Sequence, residues 1–233
     1  MKKLIGIFSV LACCVIYSQT AYSKVESKEK DTRKEYGIAL ILPKEYAIEA
    51  QRMNLEVAKQ VPKMVNLQKT FHVTLFQGRF LPNQIEEIYQ KLVSQNFKKI
   101  QIELEPKIKA EKDSYINLPV IRNEDLQNIH TKVVAVANPY HDGVLARYAD
   151  SYNELSKRQQ QQISVYGMPE LFDEYDPHVT LFYFSKKTSD LGKIVEKISP
   201  PSFIQKQEVS SMVIAELGYN GNIKKVLYEI ELK

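Results

Sequence analysis

The sequence predicts one mixed domain of helices and strands, built in two matching halves. Three observations carry this expectation. Apolar strands and amphipathic helices follow one another in a rhythm that the second half of the chain repeats. One tetrapeptide, His-Val-Thr-Leu, occurs at 72–75 and again at 178–181, roughly once per half. No long Gly/Ser linker separates the halves, so they should share an interface. The length of 233 residues suits one sizeable domain or two small lobes. With 44% hydrophobic and 26% charged residues, the chain is neither disordered, collagen-like nor a multi-pass membrane protein. The net charge of +4, from 32 Lys+Arg against 28 Asp+Glu, is too small for a nucleic-acid coat.

Residues 1–23 read as a secretory signal peptide. Lys2 and Lys3 form its positive end, Leu4 to Tyr17 are apolar or small, and Ala21-Tyr22-Ser23 offers a small–x–small cleavage site. The apolar core is short for a membrane span. The competing readings are a retained N-terminal anchor and a lipoprotein, since Val10-Leu11-Ala12-Cys13 resembles a lipobox. Cleavage after Ser23 removes both cysteines, Cys13 and Cys14. The mature chain then has no disulfide, thiolate metal site or cysteine nucleophile. The exported product is expected to carry no membrane span and to be a monomer. Residues 24–35 are nearly all charged or polar and read as a solvated leader.

From residue 36 the elements follow in order. Tyr36 to Leu42 is an apolar run stopped by Pro43, a buried strand. Residues 44–60 have helical spacing, and Pro62 ends them. A strand over 70–80 leads to a helix that Asn83 should cap, with Glu86 three residues on. Residues 98–105 alternate as a half-exposed strand, and Tyr115 to Ile121 form another. Asn123 should cap a helix to about Ala137. Residues 146–164 read as one helix, with the glutamine run 159–162 solvated. Residues 166–177 read as loop, 178–184 as strand and Ser189 to Ile198 as helix. Two final strands, 208–217 and 223–232, surround Gly218-Tyr219-Asn220-Gly221, a hairpin signal.

The repeat carries the chemistry. Side chains on a strand alternate faces, so His72 and Thr74 share one face, as do His178 and Thr180. Val73, Leu75, Val179 and Leu181 point the other way, where each strand should pack on its own helices. Two imidazoles and two hydroxyls brought into one cleft suit displacement at phosphorus. One imidazole takes a proton from the attacking oxygen and the other gives one to the leaving oxygen. An ordinary histidine pKa near ~6.5 serves both. The threonines can bond the non-bridging oxygens. The scheme needs no metal and no cofactor, and the histidines lack metal-site spacing. The plainer alternative is a pair of core histidines bonded to nearby hydroxyls. One short motif would merit it, but two identical copies in matching contexts favour function.

The motif pair resembles that of the two-histidine (2H) phosphoesterase superfamily, which includes RNA 2′,3′-cyclic phosphodiesterases and 2′-5′ RNA ligase-like proteins. Its signature is a pair of His-x-Thr/Ser-hydrophobic motifs, matched here by His72, Thr74 and Leu75 and by His178, Thr180 and Leu181. The resemblance extends over about residues 36–233. It implies an α+β fold of two pseudo-symmetric lobes, each an antiparallel sheet with helices on its outer face, around a central cleft. It also implies His72 and His178 as acid and base, His/Thr groups on the phosphate, and a nucleotide or RNA-derived phosphoester as substrate. The export signal departs from family members that process RNA inside cells. The alternative is a non-catalytic nucleotide- or RNA-binding module on the same scaffold, which would have less use for a symmetric acid–base pair.

Further contacts to base or phosphate are candidates only. Phe76 and Phe182 share the histidine face by alternation and can stack a base. Arg79 falls on the opposite face with Gln77, unless a bulge at Gly78 re-aims it. Tyr115 lies on a strand that can edge the cleft. Tyr183 should face away from His178, and Tyr175 sits in the loop before it. His130 reads as a surface helical residue and His141 as a solvated loop residue. The lysines between Lys98 and Lys112 read as a solvated face.

Overall fold

In a computed structural model of the chain, residues 32–61, 70–111, 114–184, 190–202 and 205–233 are described. The signal peptide, most of the leader, Pro62 and Ser189 lie outside them. Among the described residues no helix is long and apolar enough to cross a membrane.

The first strand, β1 (Lys34–Ile41), starts two residues before the apolar run and leads through Pro43 into α1 (Lys44–Gln60). Strand β2 (His72–Phe80) follows, then α2 (Ile85–Ser94). Asn83 does not cap α2. Pro82 opens a 3-10 turn, and the Gln84 side chain accepts from the Leu81 amide at 3.1 Å. After β3 (Ile100–Ile102), β4 (Lys109–Glu111) and β5 (Tyr115–Pro119), Asn123 caps α3 (Glu124–Ala137) by accepting from the Leu126 amide at 2.8 Å.

The long helix expected over 146–164 is broken. It becomes α4 (Ala146–Asp150), a 3-10 turn over Tyr152–Glu154, and α5 (Lys157–Tyr166), capped by a reciprocal Ser156–Gln159 pair. The glutamine run is not simply solvated. Gln159 caps, and Gln162 is buried, bonding both the amide and the carbonyl of Leu171. Gly167 ends α5 in the left-handed region, φ 70°. Strand β6 (His178–Tyr183), α6 (Leu191–Val195), β7 (Gln207–Val209) and the hairpin β8 (Ser211–Leu217)–β9 (Ile223–Glu231) complete the fold.

The fold is α+β. One antiparallel sheet runs β4-β5-β6-β2-β1-β8-β9, and a second small sheet pairs β3 with β7. The large sheet has two lobes, β4-β5-β6 and β2-β1-β8-β9, which meet edge to edge through Val73 opposite Val179. The helices are exchanged between halves. Helix α1 packs on β6, and α3 packs on β2 and α2, where the sequence suggests that each strand keeps its own helices. Periodicity shows that a helix has a buried face but not which sheet covers it. The exchange ties the halves into one core: Tyr46, Ala50, Met53 and Val57 of α1 and Leu126, Val133 and Ala137 of α3 are fully buried.

Candidate active site

The pairing of Val73 with Val179 sets the central geometry. Antiparallel register, carried one residue either way, places His72 opposite Thr180 and Thr74 opposite His178. The two motifs therefore cross: each imidazole lies beside the other strand's hydroxyl, about a pseudo-twofold axis between the valines. All four side chains line one cavity of about 280 Å³, and the two valines and two leucines are buried on the opposite face.

The imidazoles are held in the same way. Nδ1 of His72 lies 3.1 Å from the Thr70 carbonyl, and Nδ1 of His178 lies 2.8 Å from the Asp176 carbonyl. A carbonyl only accepts, so each Nδ1 donates, and in the neutral ring Nε2 is left as the acceptor. Burial pushes His72 below the ordinary histidine value, opposed by its bond to the Thr70 carbonyl and aided by the nearby His178.

Each motif strand also carries a β-bulge at the same place. In β2 the register passes from Thr74 opposite Ala39 to Phe76 opposite Ile38, leaving Leu75 unpaired. In β6 it passes from Thr180 opposite Asn117 to Phe182 opposite Ile116, leaving Leu181 unpaired. A bulge shifts alternation by one residue. The cleft face therefore continues with Gln77 and Tyr183, which both line the cavity. Phe76 and Phe182, expected on that face, are fully buried core residues. The signal was present as an adjacent apolar pair, Leu-Phe, after an alternating His-Val-Thr in both copies.

The bulged leucines expose carbonyls outside the regular ladder, and each is met by a buried side chain of the exchanged helix. His130 of α3 lies 2.7 Å from the Leu75 carbonyl through Nδ1, and Asn54 of α1 donates Nδ2 to the Leu181 carbonyl at 2.5 Å. Both side chains are fully buried, so His130 is no surface residue. Its Nε2 accepts from the Phe172 amide at 3.0 Å, and its ring stacks on Tyr175 at 3.8 Å between centroids. Burial pushes its pKa down to about 4. Tyr175 lines the cavity, donates to the Thr74 carbonyl at 2.9 Å, and has its pKa pushed up by burial.

The other candidates divide. Tyr115 lines the cavity, its ring 4.9 Å from that of Tyr183. Arg79 lies past Gln77 and is not among the cavity residues. Arg147 of α4, not singled out from the sequence, is a cation that lines the cavity. It is nearly buried, bonds Glu35 at 2.9 Å and Gln77, and stacks over Tyr148. A single cation among Val144, Leu145, Ala146, Tyr148 and Ala149 gave no sequence signal. His141 is half-buried, with Nδ1 2.7 Å from the Asn138 carbonyl and its ring edge-on to Phe76. Among the described residues no cluster of three or more His, Cys, Asp or Glu side chains is arranged to hold a metal ion.

No family model matches the sequence, and no curated protein matches it. Solved structures do. E. coli LigT complexed with 3′-AMP superposes with a TM-score of 0.55 at 14% identity, covering 86% of this chain and 99% of that one. TT0787 of Thermus thermophilus gives 0.54 at 14% identity, covering 85% and 97%. E. coli LigT complexed with phosphate gives 0.52 at 14% identity, covering 87% and 99%. At such identity the likeness is one of fold. The chain shares the fold of these proteins, the α+β architecture that the motif pair's resemblance implied.

Proposed function

We propose that the protein is a phosphodiesterase that opens a 2′,3′-cyclic phosphate or cleaves a related 2′-linked (2′-5′) nucleotide or RNA phosphoester. The observation that carries this reading is the crossed His/Thr quartet, with both Nδ1 atoms tied to main-chain carbonyls and both Nε2 atoms left to act. The fold it shares with LigT, a protein also solved with phosphate and with 3′-AMP, supports the reading.

In the proposed reaction, water attacks phosphorus in line with the departing ribose oxygen. One Nε2 accepts the proton of the water as the new P–O bond forms. The other imidazole, protonated at Nε2, donates to the departing oxygen as its P–O bond breaks. A phosphomonoester and a free hydroxyl result, and the two imidazoles have exchanged protonation states. Thr74 and Thr180 donate to the non-bridging oxygens, whose charge grows in the transition state. Neutral His72, favoured by its lowered pKa, suits the accepting role.

The N-terminal segment extends the proposal to export, with the enzyme working outside the cytosol. The purified protein should turn over nucleoside 2′,3′-cyclic phosphates or a 2′-5′ dinucleotide in excess chelator, with a bell-shaped pH profile. A folded protein that binds these compounds but leaves them intact would be a binding module instead.

A further inference from the structure

We propose that Asn54 and His130 are positioning residues, each fixing the β-bulge of the opposite motif and so aiming its imidazole and threonine, an assignment that rests on the phosphodiesterase reading. Both motifs have the same weak point. The residue after the threonine, Leu75 or Leu181, is the bulged one, and its carbonyl stands outside the regular ladder. A buried carbonyl needs a partner. Helix α1 precedes the first motif but serves the second: Asn54 Nδ2 donates to the Leu181 carbonyl at 2.5 Å. Helix α3 precedes the second motif but serves the first: His130 Nδ1 donates to the Leu75 carbonyl at 2.7 Å. The partners are 127 and 55 residues apart in sequence. Both side chains are fully buried, on helix faces otherwise made of residues such as Ala50, Met53 and Val57 or Leu126, Val133 and Val134. An aliphatic residue there would avoid the desolvation of a polar group. The two side chains differ, but the bond each makes to the equivalent carbonyl is the same.

These bonds bear on the chemistry because of what lies beside them. Without the bulges, alternation would carry Phe76 and Phe182 onto the cleft face and take Gln77 and Tyr183 off it. Each pinned carbonyl also belongs to the residue that follows Thr74 or Thr180, so movement of the bulge re-aims the hydroxyl and, two residues earlier, the imidazole. His130 reaches further than Asn54. Its Nε2 accepts from the Phe172 amide at 3.0 Å, in a 3-10 turn where Phe172 is held at φ 53°, a left-handed value that favours glycine. Its ring lies 3.8 Å from that of Tyr175 with the planes 4° apart, and Tyr175 donates to the Thr74 carbonyl at 2.9 Å. The next residue is Asp176, whose carbonyl anchors Nδ1 of His178 at 2.8 Å. His130 therefore ties the approach to His178 onto the first motif, whereas Asn54 holds the second motif at its bulge. Loss of Asn54 should disturb chiefly His178, and loss of His130 should disturb both imidazoles.

The test follows the titration of the His72 and His178 imidazoles by NMR, alongside kcat and KM for adenosine 2′,3′-cyclic phosphate, in Asn54→Ala, Asn54→Ser, His130→Gln and His130→Phe. His130→Gln keeps a donor, and His130→Phe keeps an aromatic ring beside Tyr175 but no polar atom. Folded Asn54→Ala should lose about tenfold in kcat with KM changed by less than about threefold, and its His178 titration should move more than that of His72. His130→Phe should move both titrations and lose at least as much kcat, and His130→Gln should retain more activity than His130→Phe. Folded variants that are less stable but keep both titrations and kcat overturn the assignment, because a merely structural role gives that result. A loss carried by KM alone also overturns it. Should Asn54→Ala or His130→Phe not fold, Asn54→Ser and His130→Gln decide by the same readouts. A wild type that leaves the cyclic phosphate intact overturns the phosphodiesterase reading. Moved titrations in the variants would then uphold the positioning assignment, and unmoved ones would overturn it too.

Discussion

The two motif strands carry the same tetrapeptide, the same bulged leucine and the same Nδ1 anchor two residues before the histidine. They differ in what surrounds these parts. After the bulge, β2 offers Gln77 to the cleft, tied to Tyr148 at 2.6 Å and to Arg147, whereas β6 offers Tyr183 beside Tyr115. The bulge of β2 is held by a histidine and that of β6 by an asparagine. What recurs is what the proposed proton transfers at phosphorus require: two imidazoles of fixed tautomer and two hydroxyls in crossed register. What diverges can be changed without moving those atoms. One wall is polar and charged, the other aromatic, and only one of the two pins can titrate.

The largest expected effect tests what the halves share. His72→Ala and His178→Ala should each lower kcat by roughly 10²–10⁴, and the double variant should lose little more than either alone, because the two act in one step. Steady-state kinetics on the three variants decide this. A half whose histidine can be removed with only a few-fold loss would break the symmetry.

The next effect tests the two pins. His130 has its pKa lowered to about 4 in the folded protein against an ordinary value of 6.5. The folded state then binds fewer protons than the unfolded state below pH ~6.5, so stability is complete above that pH and declines as pH falls toward 4. The shift corresponds to about 3 kcal/mol. His72, also shifted down, acts in the same direction. Denaturant unfolding at neutral pH and near pH 4 measures the loss. His130→Gln should remove most of it, whereas Asn54→Ala should cost about 1–3 kcal/mol at either pH, the penalty of an unmet buried carbonyl. A wild type equally stable at both pH values would mean that His130 charges freely.

Much of this geometry is legible in the sequence. The repeat, the terminal hairpin, the helix over 44–60 and the Asn123 cap are local patterns, and each survives in the structure. Strict alternation through Leu75-Phe76 and Leu181-Phe182 misses the bulges, moving Gln77 and Tyr183 off the cleft face and putting two core phenylalanines on it. Asn54 and His130 are out of reach for another reason. Their partners are main-chain carbonyls on a distant strand, and no side-chain pattern records the need of a backbone group. The long helix over 146–164 fails because α4 ends at Asp150 and Ser156 caps a new helix within the same stretch.

The smallest expected effect separates the walls. Tyr183→Gln makes the face residue of β6 match that of β2 and removes one ring from the aromatic wall. Stacking of a base on such a ring is worth about 1–3 kcal/mol, so KM for a cyclic mononucleotide should rise by roughly tenfold. The imidazoles keep their carbonyl anchors, so kcat should change by less than about threefold and the pH profile should keep its shape. Gln77→Leu is the counterpart on the other wall. It strips Arg147 of one partner and leaves Glu35 in place, a change that should shift KM less than Tyr183→Gln does. Equal effects from the two substitutions would mean that the ligand lies across both walls alike. A fall in kcat from Tyr183→Gln would place the tyrosine in the protonation chemistry instead of in base recognition.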